Sequence, residues 1–189
     1  MRAATEHGAD LILPALTSVL RERLPERRPR FRLDRNVSLA DALDRGLVDL
    51  AILLDGSGLD RANASGVVLL KWVSARTFTA HRGDPLPLVI FAEPCTLREP
   101  AFAILEKHGI AYEIAAECAD LAGLYAAVRS GLGLALVAMI GKLPDGLCPA
   151  ERLPAANCAT VLVRGRAGID PDLLSAVDAA VRDVLAAES

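Results

Sequence analysis

The 189-residue sequence has few aromatic residues and no pattern of metal ligands. Tryptophan, tyrosine and phenylalanine make up only 4% of the chain, so no stacking platform for nucleic-acid bases is evident. The four cysteines, Cys95, Cys118, Cys148 and Cys158, lie far apart without a C-x-x-C pair, and the three histidines are scattered. We therefore expect neither a metal site nor a cofactor.

The sequence also has no excess of basic residues, no signal peptide and no membrane-spanning apolar run. Its formal net charge of −3 disfavours DNA binding by these residues alone, because a phosphate-binding surface needs a basic face. The apolar stretch Leu132–Ile140 is much shorter than the roughly 20 residues of a membrane span and resembles a buried strand. These absences predict a cytoplasmic protein with free thiols and no membrane partner.

Arginine is concentrated in one stretch near the start of the chain. Two interpretations stay open for this stretch: a solvated helix end with an edge strand, or a patch that contacts phosphate groups. The residues concerned are Arg21, Arg23, Arg27, Arg28, Arg30, Arg32 and Arg35.

Strand-like and helix-like segments alternate along the chain, which is typical of an α/β fold with mainly parallel strands. The first 55 residues predict strand, helix, strand, helix and strand, with the helices beginning at a capping Asp10 and at Ser38. Further helices are predicted over Arg98–His108, after a capping Asp120, and from Asp170 onwards.

Sequence motifs for catalysis are not found. Gly131–Gly133 lacks the third glycine of a dinucleotide loop, and Gly56–Gly58 does not fit the G-x-S-x-G pattern of a nucleophilic serine. No convincing nucleophile and base pair is evident, so we expect that the chain is not an enzyme. A small α/β enzyme that uses Glu6 and His7 as acid and base is kept as an alternative.

Several segments resemble LysR-type transcriptional regulators. Asp10–Leu16 is similar to the family's leucine-leucine-proline helix opening, Leu39–Ile52 to its "L…L..G.lDlai" segment, and Ala126–Leu136 to its "aV.aGlGial" segment. The spacing of these segments also fits the family's regulatory domain, so the resemblance covers essentially the whole chain. Trp72 and Cys95–Arg98 resemble a subgroup with a tryptophan at the lobe junction and a C-x-x-R sequence after a strand.

This resemblance implies two Rossmann-like α/β lobes of the type 2 periplasmic-binding-protein kind, joined by two crossover strands. We expect lobe I over residues 1–77 plus 147–189 and lobe II over residues 78–146. The family's winged helix-turn-helix is absent from this sequence, so we expect a fragment that contacts DNA only through a segment outside it. The resemblance also implies a homodimer, within a higher oligomer in the full-length regulator.

The family binds its small-molecule effector between the lobes, where strand ends and helix N-termini offer polar groups. The ligand-binding candidates are the polar residues that follow predicted strands. They are Thr5, Glu6, His7, Asn36, Ser38 and Ser57 in lobe I, and Cys95, Thr96, Arg98, Glu117 and Cys118 in lobe II.

Two interpretations stay open for several of these candidates. His7 is either a ligand contact or a turn residue, and Ser38 either contacts ligand or caps its helix. Cys95 and Cys118 form either a redox-sensing pair or two inert buried thiols.

The charged candidates bear on the chemistry of the effector. Arg98 either clamps a carboxylate or forms an ion pair with Glu99 or Glu106. Glu6 and Glu117 are unusual in a carboxylate receptor and favour an effector with an amine, a guanidinium or another donor-rich group.

The sequence therefore predicts an effector-sensing domain in which ligand binding closes the lobes and rearranges the dimer. The alternative is a solute-binding component of a transporter, which shares the lobed fold. The short length and the lack of a secretion signal or lipoprotein cysteine disfavour that alternative. The sequence does not identify the effector.

Overall fold

The structure, a computed structural model, describes residues 2–4, 8–56, 63–81 and 83–188, the first of these ranges by its backbone. These ranges form helices and strands that alternate along the chain. The strands are β1 Arg2–Ala4, β2 Phe31–Leu33, β3 Leu50–Asp55, β4 Gly66–Ala75, β5 Leu86–Phe91, β6 Tyr112–Cys118, β7 Ala135–Met139, β8 Leu147–Pro149 and β9 Cys158–Gly165. The helices are α1 Ala9–Arg23, α2 Asn36–Asp44, α3 Arg98–Lys107, α4 Leu121–Arg129 and α5 Pro171–Ala187.

The chain divides into two compact units, Met1–Val68 with Ala159–Ser189, and Leu69–Cys158. It passes from the first unit to the second within β4 and returns at the start of β9. We expected these changes at 77/78 and 146/147, whereas the units change at 68/69 and 158/159. The difference arises because most of β4 pairs with β7 and β8, which belong to the second unit.

The first unit contains a sheet in the order β2-β1-β3-β9. Strands β1, β2 and β3 are parallel, which confirms the expected strand-helix-strand-helix-strand start, and β9 runs antiparallel to β3. The apolar run of β3 is buried on both faces, as its unbroken hydrophobicity indicates. Helix α2 packs Leu39 and Leu43 against Ala51 of β3, and α1 packs against α5.

The second unit is built around the parallel pair β5 and β6 and the antiparallel strands that accompany β4. Its core contains Val89 of β5, Val128 of α4 and Val137 of β7, all fully buried. Leu88 and Leu134 form a parallel bridge between β5 and the start of β7. The prediction of mainly parallel strands is wrong for the pairs β3–β9, β4–β7 and β4–β8, which are antiparallel. Strand β7 is nevertheless aligned parallel to β5, because helix α4 forms the crossover that precedes it.

The predicted helix boundaries are partly confirmed. Asp120 accepts a hydrogen bond from Gly123 N at 2.7 Å and caps α4, and Asp170 caps α5 through Asp172 N at 3.0 Å. Asp10, in contrast, lies in the first turn of α1, and the glycine before Ala9 occupies the cap position with a φ of 69°.

Helix α2 begins at Asn36 and not at the expected Ser38. Asp34 explains the earlier start, because its carboxylate accepts a hydrogen bond from Arg35 N at 2.8 Å and orders the backbone before the helix. Ser38 therefore lies inside the first turn. Within the described residues, no helix has the length and apolar character needed to cross a membrane.

Candidate functional site

The carboxyl ends of β5 and β6 meet at one edge of the second unit. The two strands are parallel, Phe91 is in register with Cys118, and Ala92 N donates to Cys118 O at 2.9 Å. The loop that follows β5, with a cis peptide before Pro94, therefore lies beside the end of β6. This topology brings the post-strand residues of both elements to the same sheet edge. The predicted candidates concerned are Cys95, Thr96, Arg98, Glu117 and Cys118.

Arg98 is the best-connected side chain at this edge. Its Nη1 donates to Phe91 O at 3.1 Å and to Glu117 Oε1 at 2.8 Å. Its Nε lies 3.5 Å from Glu93 Oε1, and the guanidinium carbon sits 5.5 Å from the ring centroid of Phe102. The side chain is only 13% exposed, so its charge is held between protein groups.

The partners of Arg98 differ from the expected Glu99 and Glu106. Arg98 is the first residue of α3, and its side chain reaches back to the strand ends, where it pairs with Glu117. Glu106 lies near the other end of the same helix and accepts a hydrogen bond from Tyr112 Oη at 3.1 Å. The ion pair therefore links α3 to β6 across the sheet edge.

Carboxylates outnumber cations around Arg98. Glu93 is 77% exposed and Glu117 is 48% exposed, so both carboxylates reach solvent while the guanidinium between them does not. Asp120 follows two residues after Cys118 and adds a further negative charge. Two carboxylates around Arg98, with Asp120 beside Cys118, make this edge acidic.

The thiol of Cys118 responds to these surroundings. Burial raises its pKa above the ordinary value of 9.0, and the negative charge of Asp120 raises it further. Cys95 is held by a different contact, because Leu97 N donates to its Sγ at 3.4 Å. Neither of these cysteines forms a disulfide bond, and neither do Cys148 and Cys158. A raised pKa keeps Cys118 protonated at neutral pH, which disfavours the reactive thiolate of a redox sensor.

A small cavity lies beside this edge. It has a volume of about 10 Å³, is lined by Trp72, Cys95, Arg98 and buried apolar side chains, and is large enough for about one water molecule. Trp72 is only 4% exposed, yet its indole Nε1 donates to no acceptor in the described parts of the chain. Trp72 also lines a wider groove of about 420 Å³ between β4 and residues 149–156.

The first-unit candidates that the structure describes have intramolecular partners. The side-chain amide of Asn36 donates to Leu54 O and its Oδ1 accepts from Leu54 N at 2.9 Å, which ties α2 to β3. Ser38 donates a hydrogen bond to Asp34. The other candidates, Thr5, Glu6, His7 and Ser57, lie outside the described residues.

The pKa of Asp34 reflects this network. Burial by itself raises the pKa, but the hydrogen bonds from Arg32, Arg35 and Ser38, together with the charge of Arg32, outweigh it and hold the pKa below its usual 3.8. Asp34, Asn36 and Ser38 therefore form a structural cluster at the start of α2.

Sequence reasoning did not assign Glu93, Phe102 or Trp72 to the site. Glu93 offered a usable signal, since it lies in the same post-strand loop as Cys95. The position of Phe102 under Arg98 follows from the helical spacing of four residues, which places both side chains on one face of α3. Nothing in the sequence indicated that the indole Nε1 of Trp72 would lack an acceptor among the described residues. No group of residues suited to hold a metal ion occurs within the described part of the chain.

The α/β fold with polar strand ends defines a ligand-binding class of domain. The family model of the LysR substrate binding domain matches residues 3–141, and the chain belongs to this family. The predicted family is thus confirmed, and with it an effector-sensing domain of the LysR type in place of a transporter component. LysR-type proteins are transcriptional regulators and not enzymes.

Similar proteins agree with this assignment. The chain is 27% identical over 136 residues to the HTH-type transcriptional regulator PecT of Dickeya dadantii (strain 3937), spanning 69% of this chain and 42% of PecT. The chain thus spans less than half the length of that relative.

Two solved structures share the fold. The reduced regulatory domain of OxyR2 from Vibrio vulnificus has a TM-score of 0.74 at 19% identity, over 97% of this chain and 94% of that one. A hydrogen-peroxide-bound OxyR mutant from Corynebacterium glutamicum has a TM-score of 0.72 at 17% identity, over 99% of this chain and 64% of that one. The expected fold, α/β of the type 2 periplasmic-binding-protein kind, is confirmed.

Proposed function

We propose that this chain senses a small-molecule effector for a longer, cytoplasmic LysR-type regulator. Effector binding favours a closed arrangement of the lobes, and the resulting change in subunit packing reaches a DNA-binding segment outside these residues. Family membership supports this proposal, as does the similarity to an HTH-type transcriptional regulator that is more than twice as long as the matched part. No chemical transformation of the ligand is needed in this scheme.

We propose further that the effector carries an amine, a guanidinium or another group rich in hydrogen-bond donors. The observation that supports this is the state of Arg98, whose donors are directed at Phe91 O, Glu117 and Glu93. An anionic effector would have to displace Glu117 before it reached the guanidinium. A cationic group would instead meet the exposed carboxylates of Glu93 and Glu117, which are its natural partners.

The other predicted ligand contacts remain part of the proposal, although the observations support them unequally. Cys95 and Thr96 lie in the loop beside Arg98. Glu6 and His7, which lie outside the described residues, remain proposed contacts. Ligand contacts for Asn36 and Ser38 are less favoured, because their polar groups already bond within the protein. Thr5, Ser57 and Cys118 complete the set of candidates.

A homodimer is also part of this proposal. Each unit carries an exposed apolar side chain on a terminal strand of its sheet, Leu33 of β2 at 46% and Ile114 of β6 at 45% exposure. Isolated apolar residues are normal on a protein surface, so the support for the dimer is family membership. Light scattering of the purified chain measures its mass; a monomer at all concentrations would contradict this part.

The effector class is tested by titrating the chain with putrescine, arginine, succinate and benzoate. Trp72 is the single tryptophan and lines the cavity beside Arg98, so its fluorescence reports on binding there, and a thermal shift provides a second readout. We expect the amines to bind and Glu117→Gln to weaken them. Glu113→Gln is the matched control, since Glu113 lies on the same strand whereas the ion pairs of Arg98 are with Glu93 and Glu117.

Two outcomes contradict the proposal. Binding of the carboxylates alone would show that Arg98 opens to receive an anion. An equal loss of amine affinity in the Glu117 and Glu113 variants would show that negative charge along the whole strand, and not this edge, attracts the amines.

A further inference from the structure

The first unit contains a concave pocket of about 490 Å³ whose charge is opposite to that of the acidic edge. It lies where α1 leads into β2, beside the start of β3 and the residues between β9 and α5. Its charged lining residues are Arg27, Arg28, Arg30, Arg166, Asp49 and Asp170. This volume falls within the range of about 300–1,000 Å³ that small-molecule pockets occupy.

The two carboxylates of the pocket already have partners. Asp49 Oδ1 accepts a hydrogen bond from Arg166 Nε at 2.8 Å, which neutralises that arginine. Asp170 accepts from Asp172 N at 3.0 Å and caps α5. Asp49 is therefore paired with Arg166, whereas Asp170 keeps its negative charge while it caps the helix. The three other arginines of the pocket outnumber this one carboxylate.

The guanidinium groups of Arg27, Arg28 and Arg30 have no hydrogen bond or ion pair with any residue in ranges 8–56, 63–81 and 83–188. All three are exposed at the pocket. Three guanidinium groups without an ion pair to a described residue, against one helix-capping carboxylate, give this concavity a positive potential.

Stabilisation of a helix end does not account for this cluster. Arg21 and Arg23 are the basic residues in the last turn of α1, where they interact favourably with its terminal carbonyls. Arg27, Arg28 and Arg30 lie beyond the helix, and the helix-dipole effect falls off within its last turn.

The loop that carries these arginines has a restricted backbone. Pro25 and Pro29 fix their own φ angles, and Arg27 N donates to Leu24 O at 3.0 Å in a turn. A restricted backbone lowers the ordering cost of binding, because less conformational freedom is lost when a ligand arrives.

We propose that this pocket binds a phosphate-bearing small molecule at a site separate from the acidic edge of the second unit. Guanidinium groups bind phosphate oxygens through paired hydrogen bonds, and Arg28 and Arg30 supply two such groups. Leu24, Ile169 and Leu173 add apolar surface that suits the organic part of a phosphorylated compound. A nucleic-acid surface is less favoured, because the chain has a net charge of −3 and few aromatic residues.

The test is calorimetric titration of the full chain with inorganic pyrophosphate and with adenosine 5′-monophosphate. We expect both to bind, and the double variant Arg28→Glu, Arg30→Glu to weaken them by roughly tenfold or more, since bonds between charged groups are lost. The control, Arg21→Glu with Arg23→Glu, makes the same change in net charge outside the pocket and is expected to retain binding. The neutral pair Arg28→Gln, Arg30→Gln answers the same question if the glutamate variant does not fold.

Three results overturn the proposal. The first is that neither pyrophosphate nor the nucleotide binds. The second is that the control variant loses binding as strongly as the pocket variant, which would indicate a general charge effect. The third is binding of a DNA duplex of about twenty base pairs that depends on Arg28 and Arg30 while the small phosphates do not bind.

Discussion

Replacement of Arg98 by alanine tests the arrangement of the candidate site directly. The guanidinium joins three elements, since it contacts Phe91 O at the end of β5, Glu117 on β6 and the ring of Phe102 on α3. Arg98→Ala removes all of these contacts together and leaves Glu93 and Glu117 without their shared cation. We therefore expect a loss of stability that is large for a charged residue.

The contacts allow the magnitude to be worked out. The hydrogen bond to Phe91 O contributes about 1.5 kcal/mol as a bond from a charged donor. The ring contact adds about 0.5–1 kcal/mol, and the ion pair with the half-exposed Glu117 adds about 0.5–1 kcal/mol. A cation at the first residue of a helix is unfavourable by about 0.5 kcal/mol, which offsets part of the sum. The expected destabilisation is thus about 2–3 kcal/mol.

Urea denaturation of the purified chain measures this difference. Arg98→Lys keeps the charge but not the planar contacts, so it is expected to lose an intermediate amount. Arg45→Ala is the matched control, because Arg45 pairs with Asp41 while the two side chains are 65% and 62% exposed. Its cost is expected to be at most about 0.5 kcal/mol.

A loss of stability for Arg98→Ala that is no larger than the loss for Arg45→Ala would refute this reasoning. It would mean that the guanidinium does not hold these contacts in solution. Arg98 would then be available to an anionic effector, and the proposed effector class would be reversed.

Three further predictions concern other parts of the chain. Gly133→Ala places a methyl group 2.3 Å from the backbone oxygen of Pro87. Urea denaturation should show a loss of stability of about 2–4 kcal/mol, because the added methyl group forces β5 and β7 apart. Unchanged stability would contradict the close contact between Gly133 and Pro87. The folded-state pKa of Asp34 lies below 3.8, so the stability that its carboxylate contributes is present above that pH and is lost as the pH falls through the folded pKa. Asp34→Asn should therefore reduce the free energy of unfolding at pH 7 but not in acid. An equal reduction at both pH values would contradict the lowered pKa. Cys118 should react with iodoacetamide at pH 8 more slowly in the folded chain than in the unfolded chain, because folding raises the pKa of its thiol above 9.0. Peptide mass spectrometry measures the two rates, and equal rates would show that folding does not protect the thiol.

Local signals in the sequence were sufficient for much of the fold. The unbroken apolar run of β3 indicated a strand buried on both faces, and Asp120 and Asp170 indicated helix starts that the structure confirms. These predictions succeed because hydrophobic pattern and helix capping depend on residues close together in the chain. The same patterns gave the order of elements over the first unit.

The partners of individual polar side chains were decided by tertiary structure. Asn36 follows a strand and was a reasonable ligand candidate, yet its amide bonds to Leu54, 18 residues away. For Arg98 the sequence left open a carboxylate clamp or an ion pair along its own helix, whereas Glu117 on a neighbouring strand receives its hydrogen bond. Such partners are brought together by strand register, which no short sequence pattern encodes.

The sequence by itself determined the family, the α/β class and the polar strand ends, because composition, periodicity and motif spacing are properties of the chain before it folds. Only the tertiary structure decided that Arg98 is neutralised between carboxylates, that the indole of Trp72 lacks an acceptor among the described residues, and that three arginines share one pocket with apolar residues. The physical reason is that burial and electrostatic pairing depend on distances through space. Residues far apart in the chain set those distances once the strands and helices have packed.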